Sequence, residues 1–266
     1  MTDWDPELYN RFRRYRAEPF ELILSRLAVN PNDTIVDLGC GTGENTVELA
    51  RRAPHGRVVG VDSSVAMIAR ANTLCATLEP DLRGRLDFVV GDFRDFSAEC
   101  EYAIVFSNAA LQWAQNHREV LARWARALRA GGRMVVQMPS NHAETAQVTL
   151  QAFAGEPAWR DLIGALRTPS HVVASPEEYG AMLEEIGLVD IDCYYHLFGH
   201  PMESPAAIVE FSRATALRPF LDQIPKSRHA EFMAAYTRRL EEAYGTTGPL
   251  NFGFRRLFLW GRRADI

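Results

Sequence analysis

No run in this sequence approaches the roughly 18 consecutive apolar residues that a membrane-spanning helix requires, so no bilayer segment is expected. Cysteine is sparse: four residues, at positions 40, 75, 100 and 193, with no CxxC pair among them. That spacing offers neither a zinc site nor a disulfide framework, and a reducing cytoplasm is the expected compartment. Basic excess is missing too. Lys and Arg number 29 against 34 Asp and Glu, a net charge of −5, which gives no electrostatic reason to bind nucleic acid or an anionic membrane. The opening Met1-Thr2-Asp3-Trp4-Asp5-Pro6 has neither the basic nor the apolar segment of an export signal. Repeats and low-complexity segments are absent as well. What remains is a chain of 266 residues, 47% hydrophobic and 24% charged, long enough to bury a sizeable core in one large domain or one and a half.

The most informative stretch is Ile35-Val36-Asp37-Leu38-Gly39-Cys40-Gly41-Thr42-Gly43. A β-branched run enters it, three glycines at alternate positions turn it, and Glu44 to Arg52 leaves with helical spacing, so it reads as strand, tight turn and helix N-terminus. Such a turn often holds phosphate. Here the Lys-Ser/Thr of a P-loop is missing, and Gly39, Gly41 and Gly43 follow GxGxG rather than the GxGxxG of a dinucleotide site. Asp37 at the strand end would repel a phosphate and attract an ammonium. A cationic amino-acid moiety joined to a nucleoside, as in S-adenosylmethionine, fits that combination.

From residue 33 short β-branched runs alternate with amphipathic helices. Strands are expected over 34–38, 57–61, 86–90, 102–107 and 133–138, with helices over 44–52, 64–76 and 117–130 and a Gly131-Gly132 turn between the last helix and strand. This pattern calls for a parallel sheet covered on both faces, whose ligand lies beyond the carboxyl ends of the strands. Asp62, ending the second strand, is suited to a ribose diol, and Ser63 or Ser64 caps the helix that follows. Asp92 and Phe93 follow the third strand, where a carboxylate could meet an adenine amino group and a ring could pack on the base. Asn108, Gln112 and Trp113 follow the fourth, on the side where a substrate must enter.

Residues 140–250 break the alternation, with helices expected over 145–153, 176–186, 204–215 and 227–244. Further strands are expected over 189–198 and 254–263. The expected organisation is a helical segment over the site (1–30), a cofactor-binding core (31–140), a mainly helical substrate cap carrying the strand near 189–198 (141–250), and a final sheet strand (251–266).

DLGCGTG is similar to the first motif of the Rossmann-like class I methyltransferases, and the strand-end residues recur in their order over about residues 33–140. A sharper resemblance covers nearly the whole chain. Trp4-Asp5-Pro6, Leu8-Tyr9 and Phe12, Asn108-Ala109-Ala110-Leu111-Gln112-Trp113, Val136-Gln137-Met138-Pro139-Ser140-Asn141, Ala207-Ile208-Val209-Glu210, Ala216-Leu217-Arg218-Pro219 and Phe254-Arg255-Arg256-Leu257-Phe258 resemble the trans-aconitate 2-methyltransferase family. The resemblance implies an α/β fold, a Rossmann-like sheet with a helical cap inserted in its C-terminal half, in a cytoplasmic bacterial enzyme. It further implies methyl transfer from S-adenosylmethionine to a carboxylate of trans-aconitate. The family usually carries GCGPG where this chain has Thr42. It also tends to carry an arginine where this chain has Glu18, a reversal of local charge.

Methyl transfer to a carboxylate needs no general base, because an acid with a reference pKa near 4 is already ionised at neutral pH. No catalytic acid or base and no metal is therefore assigned. The cofactor-binding set expected is Asp37, Gly39, Gly41, Asp62, Ser63, Asp92, Phe93 and Asn108. A small polyanion calls for guanidinium groups and neutral donors, so the substrate-binding set is Tyr9, Arg16, Trp113, Arg218 and Arg256. His200, before Pro201, is expected at a turn or cap. Two other readings stay open: the same cofactor with a malonyl-thioester or natural-product acceptor, and a protein that binds the cofactor without turning it over.

Overall fold

The computed structural model describes residues 6–164, 173–213 and 215–265, and for residues 6–13 and Arg16 it describes the backbone alone. A first helix, α1 (Pro6–Arg26), contains Pro19. Proline donates no backbone hydrogen bond, so the helix loses one rung there. Then β1 (Thr34–Leu38), α2 (Glu44–Arg52), β2 (Arg57–Asp62), α3 (Val65–Ala76), the short α4 (Pro80–Arg83), β3 (Leu86–Val90) and β4 (Tyr102–Asn108) follow. After a 3-10 turn at Leu111–Trp113 come α5 (His117–Ala127) and β5 (Leu128–Pro139). The second half runs α6 (Thr145–Ala154), α7 (Pro157–Ile163), α8 (Pro176–Glu185), β6 (Leu188–Met202), α9 (Pro205–Arg213), α10 (Arg218–Leu221), α11 (His229–Tyr244) and β7 (Leu250–Arg263).

The seven strands form one sheet in the order β3-β2-β1-β4-β5-β7-β6. β1 pairs in parallel with β2 and β4, β2 with β3, and β4 with β5. Strand order therefore reverses between β1 and β4, which opens a crevice at their carboxyl ends. β1 sits at the centre because Ile35, Val36 and Leu38 have no exposure at all and can pack on both faces. Trp124 of α5 is likewise fully buried, and its indole N–H donates to the Phe93 carbonyl at 2.9 Å. Ser64 caps α3, its hydroxyl accepting from the Met67 amide at 3.3 Å.

The chain divides into two units, one from Met1–Pro19, Ser140–His171 and Leu197–Arg256, the other from Phe20–Pro139, Val172–His196 and Leu257–Ile266. The sheet unit buries Leu38, Val105, Leu121, Trp124, Met138 and Leu257 in one core; the other unit buries Phe153, Trp159, Phe211, Phe232, Tyr236 and Phe252 in its own.

Three details differ from the sequence expectation. The segment 128–133 is the irregular start of β5 rather than a turn before it: Tyr102 faces Leu128 but Ile104 faces Arg133, and Gly131 at φ 70° takes up the excess. α8 belongs to the sheet unit rather than to a cap. β6 and β7 extend well beyond 189–198 and 254–263, because apolar alternation reaches through Met202 and starts again at Phe252.

Candidate functional site

The glycine loop after β1 is built for close approach. Gly39, Gly41 and Gly43 have φ of 82°, 57° and 87°, a region that residues with side chains rarely adopt. The amides of Gly39 and Cys40 both donate to the Val61 carbonyl, at 2.8 and 3.0 Å, pinning the loop to the end of β2. A Cβ on Gly39 would overlap that of Ala110 beyond β4, and one on Gly43 would come within 2.7 Å of Phe88. At Gly41 the same position is open space, so that edge of the loop is left for something else.

Asp62 is fixed by the same loop. One oxygen accepts from the Gly41 amide at 3.0 Å and the other from the Ser64 amide at 2.9 Å. Two backbone amides thus hold the carboxylate in place, and each oxygen keeps a lone pair for a diol. Ser63 beside it is exposed. Residues 35–46 contain no basic side chain. With Asp37 and Asp62 the loop suits a cationic nucleoside derivative better than a phosphate.

Asp37 differs from its expected role. It is 1% exposed, with Thr46 Oγ1 donating to it at 2.6 Å, so it can act on an ammonium only through its field. Burial pushes its carboxyl up to about 7; the Thr46 bond opposes that rise and the Asp62 charge adds to it. A cation bound over the loop favours the ionised form and so lowers this pKa, releasing a proton on binding. Affinity for such a cation should therefore climb as pH rises toward about 7 and level off above it, and Asp37→Asn should flatten the climb; calorimetry across a pH series measures both.

Beyond β3, Asp92 is held by Arg94, whose guanidinium takes both carboxylate oxygens and whose amide donates to one of them at 2.8 Å. The guanidinium keeps the Asp92 carboxyl below the usual range. Contact with an adenine amino group would have to share that carboxylate. Phe93 lies deeper than expected: it is 9% exposed and forms a T-shaped pair with Trp124 at 6.1 Å, so it packs as a core residue. Exposed apolar groups stand at the strand ends instead: Val65 and Met67 after β2, 69% and 38% exposed, Val90 ending β3, 50%, and Trp113 after β4, 58%.

The register β1–β4–β5 aligns Asp37 with Phe106 and Val135, and two positions on toward the carboxyl edge Asn108 pairs with Gln137. Side chains two residues apart share a face, so Asp37, Asn108 and Gln137 lie on the same side of the sheet. Neither Gln137 nor Thr46 carries the charge that marks a site residue in sequence: the register of β4 on β5 sets Gln137 beside Asn108, and the start of α2 brings the Thr46 hydroxyl onto Asp37. Asn108 Oδ1, Gln112 Oε1 and Gln137 Nε2 are buried without a hydrogen-bond partner among the described residues. Each such group costs about 1 to 3 kcal/mol unless something satisfies it.

The expected substrate residues scatter. The side chains of Tyr9 and Arg16 lie outside the described residues. Arg218 lies on the four-residue α10, its side chain 74% exposed and 3.8 Å from Asp222, a surface group that water keeps solvated. Arg256 is the buried one, 7% exposed, its guanidinium 4.1 Å over the Phe254 ring. Near it in the same unit, His200 is fully buried within β6 rather than at a turn, stacked on Tyr15 at 4.1 Å, with Nε2 3.1 Å from Glu18. Burial pulls the His200 pKa down, against the Glu18 carboxylate and with the Arg256 charge. Glu18 thus meets a histidine. A small cleft in that unit is lined by Asn141, Glu144, Phe211, Thr215, Phe254 and others. Its charged lining group is a carboxylate paired with Arg255 at 2.6 Å, which does not suit a polyanion.

Residues 35–132 match the family described as Methyltransferase domain. A trans-aconitate 2-methyltransferase of Paracidovorax citrulli (strain AAC00-1) is 35% identical over 268 residues, covering 99% of this chain and 100% of its own. One of Escherichia coli O7:K1 (strain IAI39 / ExPEC) is 34% identical over 267 residues, covering 100% of both. Among solved structures, the YcgJ protein of Bacillus subtilis aligns at TM-score 0.62 with 15% identity, over 94% of this chain and 99% of the other. A Haemonchus contortus phosphoethanolamine N-methyltransferase 2, solved with S-adenosyl-L-methionine, aligns at 0.58 with 16% identity, over 93% and 52%. These structural likenesses speak for the fold.

Proposed function

The chain belongs to the trans-aconitate 2-methyltransferase family, and we propose that it esterifies a carboxylate of trans-aconitate with a methyl group from S-adenosylmethionine. The observation that carries this reading is the glycine loop with Asp62 tied to its Gly41 and Ser64 amides, in a chain matched end to end by those relatives. S-adenosylmethionine, when bound, supplies a sulfonium-activated methyl group whose displacement by a carboxylate oxygen leaves the electron pair on sulfur and moves no proton. The protein's tasks are then positioning and exclusion of water. Asp62 would hold the ribose hydroxyls, the open edge at Gly41 would admit the ligand without a clashing Cβ, and Asp37 would favour a cation from beneath. Asn108 would offer an acceptor to the amino group. Trp113 would wall the acceptor side.

A cytoplasmic setting fits the same reading, since the four cysteines are all free. No helix among the described residues is long and apolar enough to cross a membrane.

The test is a panel of di- and tricarboxylates, a malonyl thioester and hydroxyl-bearing compounds offered with labelled methyl donor. Base-labile ester should form fastest with trans-aconitate; a faster thioester or hydroxyl acceptor would overturn the reading.

A further inference from the structure

We propose that Gln137 is an acceptor-positioning residue, its side-chain amide donating a hydrogen bond to the oxygen of the acceptor carboxylate that does not attack the methyl carbon. The inference rests on the methyl-transfer reading above and adds a residue to it. Gln137 is 1% exposed, and its Nε2 has no hydrogen-bond partner among the described residues. Its backbone is locked in place: the Ala109 amide donates to the Gln137 carbonyl at 2.8 Å, with Ala109 at φ 58°. Gln112 closes the same corner, its Nε2 donating to the Ala109 carbonyl at 2.7 Å. A buried side-chain amide on a backbone held in this way, with a donor left over, is arranged for a ligand acceptor group.

Strand order says which ligand. The glycine loop, Asp62 and Asp92 follow β1, β2 and β3, so the nucleoside derivative occupies that half of the sheet. β4 comes next and β5 lies one strand further out. Gln137, on β5, shares its face with Asp37 and stands beside Asn108, which places its donor on the far side of the methyl-donor end. A carboxylate reacting there needs one oxygen free of strong hydrogen bonds to act as nucleophile. The other can be tethered, and a neutral amide does so without the deeper stabilisation a guanidinium would give the whole anion.

Two variants test this. Gln137→Met removes the donor. It should weaken trans-aconitate binding to the complex with S-adenosylhomocysteine, and raise its KM, about tenfold at every pH, with cofactor Kd unchanged. Gln137→Glu keeps the shape and turns the donor into an anion at high pH. Its KM ratio to wild type should exceed that of the methionine variant at high pH and fall toward one as the pH drops, because a buried carboxyl has a raised pKa and donates again once protonated. A merely structural glutamine would show no such recovery. Melting temperature monitors folding, and the isosteric variant carries the test if the methionine variant unfolds.

Acid binding and KM unchanged in both folded variants would overturn the proposal and assign the donor to a water molecule. Weakened cofactor binding with intact acid binding would overturn it in favour of the cofactor's own carboxylate. If wild-type enzyme methylates none of the acids, the parent reading fails and takes this one with it.

Discussion

Asp62→Ala should weaken S-adenosylmethionine binding by about 2 to 3 kcal/mol, roughly 30- to 150-fold in Kd. The loss has two sources. Hydrogen bonds from a ribose diol to a charged oxygen disappear, and so do the bonds that the Gly41 and Ser64 amides make to the same carboxylate at 3.0 and 2.9 Å. Asp62→Asn separates the two, because an amide oxygen still accepts from one backbone N–H while its NH2 faces the other donor. Calorimetry should place the asparagine variant between wild type and alanine. Unchanged affinity in the alanine variant would mean that the carboxylate orders the loop and touches no ligand.

Gly39→Ala and Gly41→Ala should fail in opposite ways, although the substitution is the same and the positions are two apart. At Gly39, φ 82° costs a side-chain-bearing residue about 1 to 2 kcal/mol, and the overlap with Ala110 adds about 1 to 3 kcal/mol. The expected result is a large fall in unfolding free energy. At Gly41 the strain is of the same kind, but nothing lies within 4 Å of the added methyl group. Stability should drop by only about 1 to 2 kcal/mol, with cofactor affinity falling at least about tenfold as the methyl group enters ligand space. Denaturant unfolding alongside calorimetry separates the two effects. Should Gly41→Ala bind the cofactor normally, the open edge of the loop is not the ligand's.

The α/β architecture was readable because each of its signals is local. A β-branched run, a glycine and a following amphipathic stretch define β1, the loop and α2 without reference to the rest of the chain, and Asp62 is placed by the strand it ends. What could not be read depends on partners far away in sequence. Phe93 follows a strand, the place from which a ring could meet a base, and it is Trp124 from α5 that draws it into the core. Arg218 and Arg256 are chemically alike; a four-residue surface helix and a buried strand position separate them. Gln137 carries no charge and sits inside an apolar strand, so its place beside Asn108 emerges from the register of β4 on β5. Glu18 read as a reversed charge, and it is His200, 182 positions away, that meets it.

The most direct measurement follows the wild-type chain with S-adenosylmethionine and trans-aconitate, counting both products by mass spectrometry. One methyl ester should appear for each S-adenosylhomocysteine released. Tight binding of S-adenosylmethionine with neither product formed would contradict methyl transfer, and S-adenosylhomocysteine without ester would contradict the carboxylate as its acceptor.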